Sequence, residues 1–297
     1  MLSVLAIKIA EHPNLGERLA WRGGTCFTKL HLQRPYRYSE DLDAVLIGPD
    51  RSAGSFFDSM REVADDIGVV MGQRVIKERK IGTYLKFPAT AGGADIKIKV
   101  EVQVTDPEPL LDLIEVPHEA DLPGFGSFVA KILTFQPAEL LGTKFRALAQ
   151  RSKGRDLADL WLGRKVLDIP DDDLATAATH YLDNEGISPA EFRVRLAAHR
   201  DEPGFCADLN PLMAEPLAGY DPQAEVDNLV LWSDRLLPGN DVDGWMAAAN
   251  RRIRSAPHAQ RQGLVRCPRF VKVDGSRRRC LHEVDPRKRR CEIHGAF

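Results

Sequence analysis

The chain has 297 residues, 43% hydrophobic and 28% charged, with a formal net charge of −2. That is an ordinary soluble composition, long enough for a core-forming domain and a second lobe. No stretch approaches the roughly 20 consecutive apolar residues that span a bilayer, and Met1 to Ala10 reads as an amphipathic helix rather than a secretory signal, so no membrane partner is expected and the chain reads as cytoplasmic. The small net charge hides an asymmetry: residues 251–297 carry 14 Lys and Arg against 4 Asp and Glu, leaving 27 basic and 39 acidic groups elsewhere. A basic tail on an acidic body points to a polyanionic partner.

Residues 1 to about 20 are expected to be helical, ending at Trp21 and Arg22 before a glycine turn, Gly23-Gly24-Thr25. The glycines permit close backbone approach, and if Thr25 opens a helix through His31, its free N–H groups face a phosphate. The block Arg37-Tyr38-Ser39-Glu40-Asp41-Leu42-Asp43 then enters an apolar run. If 41–47 is a strand, alternation sends Asp41 and Asp43 to one side. Two carboxylates there can hold magnesium, which takes its remaining ligands from phosphates and water. Phosphoryl or nucleotidyl transfer needs both halves, a metal to neutralise charge and donors to orient phosphates.

Residues 55–67 place Phe56, Phe57, Met60, Val63 and Ala64 at helical spacing, and 71–80, 83–87 and 94–104 alternate as strands. In the last of these, Ile96, Ile98, Val100, Val102 and Val104 form one face, and Glu101 on the other could meet the first two carboxylates. Helices follow over 137–150 and 155–167, and from about 170 to 238 with clear starts at the capping box Ser188-Pro189-Ala190-Glu191 and at Asp221-Pro222. Residues 239–266 thin into a polar, basic linker. Cys26 and Cys206 are isolated and suit small apolar spaces.

The last cysteines differ. Cys267, Cys280, Cys291 and His294 form Cys-x12-Cys-x10-Cys-x2-His, a closed set for structural zinc whose final pair has the spacing of a chelating knuckle. His282 is an alternative fourth ligand. Arg277, Arg278 and Arg279 and the run Arg287-Lys288-Arg289-Arg290 surround the set, which suits contacts to nucleic-acid phosphates and delivery of an RNA acceptor.

Taken together, Arg22-Gly23-Gly24-Thr25, the block from Arg37 to Asp43, Leu141-Gly142-Thr143-Lys144-Phe145-Arg146-Ala147 and Arg155-Asp156-Leu157-Ala158-Asp159-Leu160-Trp161 resemble the AbiEii-type nucleotidyltransferase-like toxins of abortive-infection toxin–antitoxin systems, which include the MenT toxins. The resemblance covers roughly residues 15–240. It implies an α+β fold, a polymerase β-type nucleotidyltransferase core over 1–135 with a helical lobe over 136–250. The basic linker and zinc-stabilised tail over 251–297 are not part of the family pattern. By the same resemblance Gly24 and Thr25, with Gly23, Arg22 and Ser39 around them, hold the triphosphate. Asp41 and Asp43 hold magnesium, Lys144 contacts phosphate, and Asp156 and Asp159 organise the edge of the site. Glu101 or Asp43 would take the proton of an attacking hydroxyl, although the family strand often carries aspartate, so Asp95 competes with Glu101. Arg22 stands where many relatives have lysine, which keeps the charge and changes its geometry.

The implied function is a phage-defence toxin that moves a nucleoside monophosphate from a nucleoside triphosphate to RNA, above all the tRNA 3′ end, under a cognate antitoxin. A small-molecule nucleotidyltransferase and a non-catalytic nucleotide-binding protein remain open alternatives.

Overall fold

The computed structural model describes residues 1–32, 36–48, 52–88, 95–105, 108–122 and 126–237, and only short strands within 265–296. The chain divides into two compact units, the first built from residues 1–141, 154–170 and 207–220, the second from 142–153, 171–206 and 221–297. The mixed α+β class expected from the sequence is found.

The first unit is organised by one mixed sheet. Its strands are β1 (Leu19–Arg22), β2 (Asp41–Leu46), β3 (Val70–Met71), β4 (Val75–Lys77), β5 (Lys80–Phe87), β6 (Ile96–Gln103), β7 (Ile114–Leu122) and β8 (Gly126–Thr134), with order β3-β5-β6-β2-β1-β8-β7 and β4 paired to β5. β2 runs parallel to β6, and β1 parallel to β8. On β2 and β6, Leu42, Ala44, Leu46, Ile98, Val100 and Val102 are buried, the period-2 pattern of strands with one face on a core. Helix α1 (Leu2–Glu11) has five buried side chains, Val4, Leu5, Ala6, Ile7 and Ile9, which is how a helix apolar on nearly all sides must be placed. Helix α3 (Ala53–Asp66) buries Phe56, Phe57, Met60, Val63 and Ala64 as its spacing requires, with Ser52 capping the N–H of Ser55.

The first helix is shorter than expected. It stops at Glu11, His12 is already extended, and Leu19–Arg22 forms a central strand beside β2. Pro13, Asn14 and Gly16 mark the stop; four apolar-rich residues are too few for period alone to separate strand from helix. The hairpin β7–β8 was not anticipated either, although Pro123-Gly124 supplies a turn signal between its strands. The strand expected over 71–80 is instead split between β3, β4 and the start of β5.

After β8 the chain enters α4 (Pro137–Gln150), then α5 (Gly154–Val166), which returns to the first unit. Glu139 on α4 is fully buried and accepts the backbone N–H groups of Leu110 at 2.7 Å and Leu111 at 3.0 Å, which satisfies donors that a loop would otherwise lose. Gly163 lets α5 approach Leu141 and Phe27, since a Cβ there would stand 2.6 Å from Leu141 Cδ1.

In the second unit, α6 (Asp171–Asn184), α7 (Pro189–Ala197), α8 (Pro203–Ala207) and α9 (Pro222–Leu236) join the latter part of α4 around Phe145, whose ring lies 5.4 Å from those of both Phe192 and Trp232. Ser188 caps Glu191 N at 3.1 Å, and the Glu191 side chain also pairs with Arg195 at 2.6 Å. Asp221 caps α9 as expected, accepting from Gln223 N and Ala224 N.

The basic tail contributes three two-stranded pairings, β10 (Phe270–Val273) with β11 (Ser276–Arg279), β9 (Val265–Arg266) with β12 (Glu283–Val284), and β13 (Arg290–Cys291) with β14 (Gly295–Ala296). The expected zinc ligands Cys267, Cys280 and His294, and the alternative His282, lie outside the described residues, and of Cys291 only the backbone is described. Among the described residues no helix is long and apolar enough to cross a membrane.

His31 carries a pH signature. Its Nε2 is buried without a hydrogen-bond partner among the described residues, and burial pushes the imidazole from its usual range down to about 4. The unfolded chain therefore binds a proton between pH 6.5 and 4 that the folded chain refuses, and stability falls as pH drops through that window, by up to about 3 kcal/mol. Denaturant midpoints measured from pH 7 to 4 are expected to fall less steeply in His31→Gln than in the wild type. Equal slopes would show that His31 does not bear this loss.

Candidate functional site

The site is assembled in the first unit where β1 ends and β2 begins. Gly23 follows Arg22 with φ +81°, a left-handed conformation that favours glycine. It opens α2 (Gly23–Cys26), which continues through a wide π turn over Phe27–His31. Antiparallel pairing sets Arg22 opposite Asp43, and a Cβ built on Gly23 would stand 2.5 Å from Asp43 Oδ2. The first glycine thus clears space for the second carboxylate of the Asp-Leu-Asp element.

The second glycine clears space for a cation. A Cβ on Gly24 would stand 1.9 Å from Arg37 Nη2, and that guanidinium has no freedom to retreat. Arg37 donates from Nε to Asp159 Oδ1 and from Nη2 to Asp159 Oδ2, both at 3.1 Å, and from Nη1 to the carbonyl of Tyr38 at 3.3 Å. Arg37 is 8% exposed and Asp159 is 0% exposed. Tyr36 also donates its hydroxyl to Asp159. Burial would lower the Arg37 pKa, but the Asp159 charge outweighs it and holds the guanidinium above its usual value. Burial first, and the Asp159 charge next, raise the Tyr36 phenol well above its usual range.

Thr25 ties the turn to the strand. It is 3% exposed and donates to the Asp41 carbonyl at 2.6 Å; with its proton used there, it accepts from the Ser39 hydroxyl. Tyr38 N donates to Leu212 O at 2.6 Å, so the segment over 207–220 also holds this loop. Ser39 therefore lies on a loop fixed at several points, and that loop leads directly into Asp41 and Asp43 at the start of β2.

Asp41 and Asp43 share one face of β2, Asp41 exposed and Asp43 half-buried, as alternation requires. Parallel pairing places Lys99 beside Asp41 and Glu101 beside Asp43, so Arg22, Asp43 and Glu101 form one row across β1, β2 and β6. Asp95 precedes β6 and lies six residues from Glu101, about 20 Å along an extended strand; Glu101 is the carboxylate in register. Glu101 is not open, however, because Lys80 Nζ lies 2.6 Å from Oε1 and Lys99 Nζ 2.5 Å from Oε2. Among the described residues no three His, Cys, Asp or Glu side chains converge as a metal-holding group.

The remaining expected residues are buried. Asp156 and Asp159 both lie on α5, at 1% and 0% exposure. Lys144 is buried on the part of α4 that belongs to the second unit. Sequence reasoning missed Tyr36, Lys80 and Lys99. Lys99 could have been found, since it flanks Glu101 on the polar face of an alternating strand; Lys80 could not, because its role depends on β5–β6 register.

The arrangement makes energetic claims that can be checked. Asp159→Ala, which strands a buried guanidinium, is expected to cost about 3–5 kcal/mol in denaturant unfolding. Gly24→Ala should destabilise the wild type, and a double-mutant cycle with Arg37→Ala should recover most of that penalty as coupling. Additive penalties would mean that the glycine answers to something other than Arg37.

A family described as "Nucleotidyl transferase AbiEii toxin, Type IV TA system" matches residues 6–230. Among solved structures, the nucleotidyltransferase toxin MenT4 of Mycobacterium tuberculosis superposes with a TM-score of 0.56 at 21% identity, covering 88% of this chain and 89% of its own. JHP933 from Helicobacter pylori gives 0.47 at 15% identity over 85% and 94% of the two chains. A structure described as "putative nucleotidyltransferase from H. pylori" gives 0.44 at 16% over 79% and 91%. No curated protein matches the chain.

Proposed function

We propose, for a chain that belongs to the AbiEii nucleotidyl transferase toxins of type IV toxin–antitoxin systems, that it transfers a nucleoside monophosphate from a nucleoside triphosphate to an RNA hydroxyl, above all the tRNA 3′ end. The chain is a nucleotidyltransferase, and its family implies a triphosphate substrate and a cognate antitoxin. The observation that carries the finer reading is the placement of Asp41 and Asp43 on one strand face, with the Asp43 carboxylate packed against the Gly23 turn.

The donor set fits magnesium: two hard carboxylates, with the other positions left to phosphate oxygens and water. Bound there, the ion would neutralise charge developing on the α-phosphate and the leaving pyrophosphate. Asp41 and Asp43 hold it. The Gly23-Gly24-Thr25 turn orients phosphate through backbone N–H groups, with Arg22 and Ser39 beside it, and Lys144, by its place in the family motif, contacts phosphate. The acceptor oxygen attacks the α-phosphorus, the α–β bridging P–O bond breaks, and pyrophosphate leaves. Asp43 takes the acceptor proton, because both oxygens of Glu101 are engaged by lysines. Asp159 acts through Arg37 rather than on substrate, and the buried Asp156 on the same helix is assigned to the same edge.

The basic residues of 251–297 supply the phosphate contacts that an RNA acceptor needs, and the Cys267, Cys280, Cys291 and His294 spacing supports a structural zinc in that tail. An abortive-infection role against phage, in the cytoplasm, follows from the same reading.

Incubation with magnesium, each α-labelled triphosphate and total tRNA is expected to label tRNA with one or more of the four bases. Asp41→Ala and Asp43→Ala should lose at least about a hundredfold in rate while keeping the native circular dichroism. Activity that survives Asp43→Ala would refute the assignment. Removal of residues 260–297 is expected to weaken tRNA binding and flatten its dependence on salt; an unchanged isotherm would separate the tail from RNA delivery.

A further inference from the structure

The sheet face that carries Asp41 and Asp43 also carries a second charge group that the metal assignment leaves without a task. Gly82 of β5 stands opposite Glu101 and brings no side chain to that row. Lys80, two residues along β5, reaches Oε1 of Glu101, and Lys99, two residues along β6, reaches Oε2. The Glu101 side chain is 15% exposed, and the lysines on either side of it are 32% and 33% exposed, so the carboxylate is the sheltered member and the ammoniums are the accessible ones. The three groups sum to a net charge of +1, set beside the two carboxylates of β2.

A third metal ligand would look different. A divalent ion on Glu101 would sit against two ammoniums already in contact with both oxygens, and like charges at that distance repel strongly in a partly buried site. An ammonium is instead a compact point charge suited to phosphate oxygens. Lys99 is in register with Asp41. Burial alone would lower its pKa, but Glu101, and then Asp41 and Asp43, outweigh that and keep it protonated above its usual value. Burial likewise acts to raise the Glu101 pKa, and the hydrogen bonds from Lys80 and Lys99 overcome it, holding the carboxyl below its usual value and ionised.

We infer that Glu101 is a positioning residue that holds Lys80 and Lys99 as a two-ammonium clamp for the polyphosphate tail of a nucleoside triphosphate. This rests on the nucleotidyl-transfer reading. Asp41 and Asp43 then take the metal alone, and the lysines take the phosphate oxygens that the metal does not reach.

The test is calorimetric binding of each ribonucleoside triphosphate to the full chain, in EDTA and across a magnesium titration, with turnover measured in parallel. Lys99→Gln and Lys80→Gln are expected to weaken triphosphate binding about tenfold in EDTA and in magnesium alike, with KM raised more than kcat is lowered and the magnesium midpoint unchanged. Glu101→Gln should show the same pattern, and Lys99→Arg should restore most of the affinity. If Glu101→Gln moves the magnesium midpoint as Asp41→Asn does while leaving EDTA binding intact, Glu101 is a metal ligand and the clamp is overturned. Wild-type binding that Lys99→Gln matches overturns the clamp and leaves the nucleotidyl-transfer reading standing. A wild type that binds no triphosphate even with magnesium overturns both.

Discussion

The Arg37–Asp159 ion pair is the constraint on which the rest of the site depends. Its partners are 122 residues apart in sequence and both are buried, so each charge is acceptable only because the other is present. Bidentate geometry, a third hydrogen bond to the Tyr38 carbonyl and a phenol from Tyr36 on the same carboxylate compensate the desolvation that makes such pairs marginal for net stability. What the pair supplies is specificity of placement. It fixes the chain just before Ser39, and two residues later that chain becomes β2. The Gly24 position and the Thr25 bridge are consequences: one leaves room for the guanidinium, the other ties the fixed loop to the helix that follows the turn.

The electrostatics of the exposed sheet face follow a similar logic at lower burial. Asp41, Asp43 and Glu101 sit on adjacent strands in neighbouring register positions, an arrangement that would repel itself if nothing intervened. Lys99 and Lys80 intervene from within the same sheet. The carboxylates thus divide into the β2 pair, which we assign to a cation, and a third that is held by two lysines of the same sheet, and that division follows from register: Lys99 falls opposite Asp41 only because β6 runs parallel to β2.

Much of this was legible in the sequence where a residue's role depends on local spacing. Alternation put Asp41 and Asp43 on one side and placed Glu101 on the polar face of β6, and helical spacing set the burial of α3. The helix at 137–150 was read to its ends. What could not be read was whatever rests on a distant partner. Asp159 was placed at the edge of the site by its motif, but nothing local says that it is buried; its bidentate contact with Arg37, 122 residues away, explains that burial. Gly23 and Gly24 read as a phosphate cradle, while the structure adds that Asp43 and Arg37 already fill the space a side chain would need. β1 was missed because four residues give too little period to outvote the apolar run before them.

The order of the segments along the chain has its own physical consequence. Asp159 arrives on α5, and Leu212, the acceptor for Tyr38 N, arrives still later, yet both belong to the first unit. A chain that ends before residue 154 contains every sheet strand of that unit and both magnesium candidates, but it leaves the Arg37 guanidinium without its counter-charge in a place built to exclude water. Such a charge does not stay buried; it takes its loop with it toward solvent, and Ser39 and Asp41 lose the anchor that sets them against Thr25. Native geometry at the carboxylates therefore depends on non-local contacts, and the sheet by itself is not sufficient to make the site.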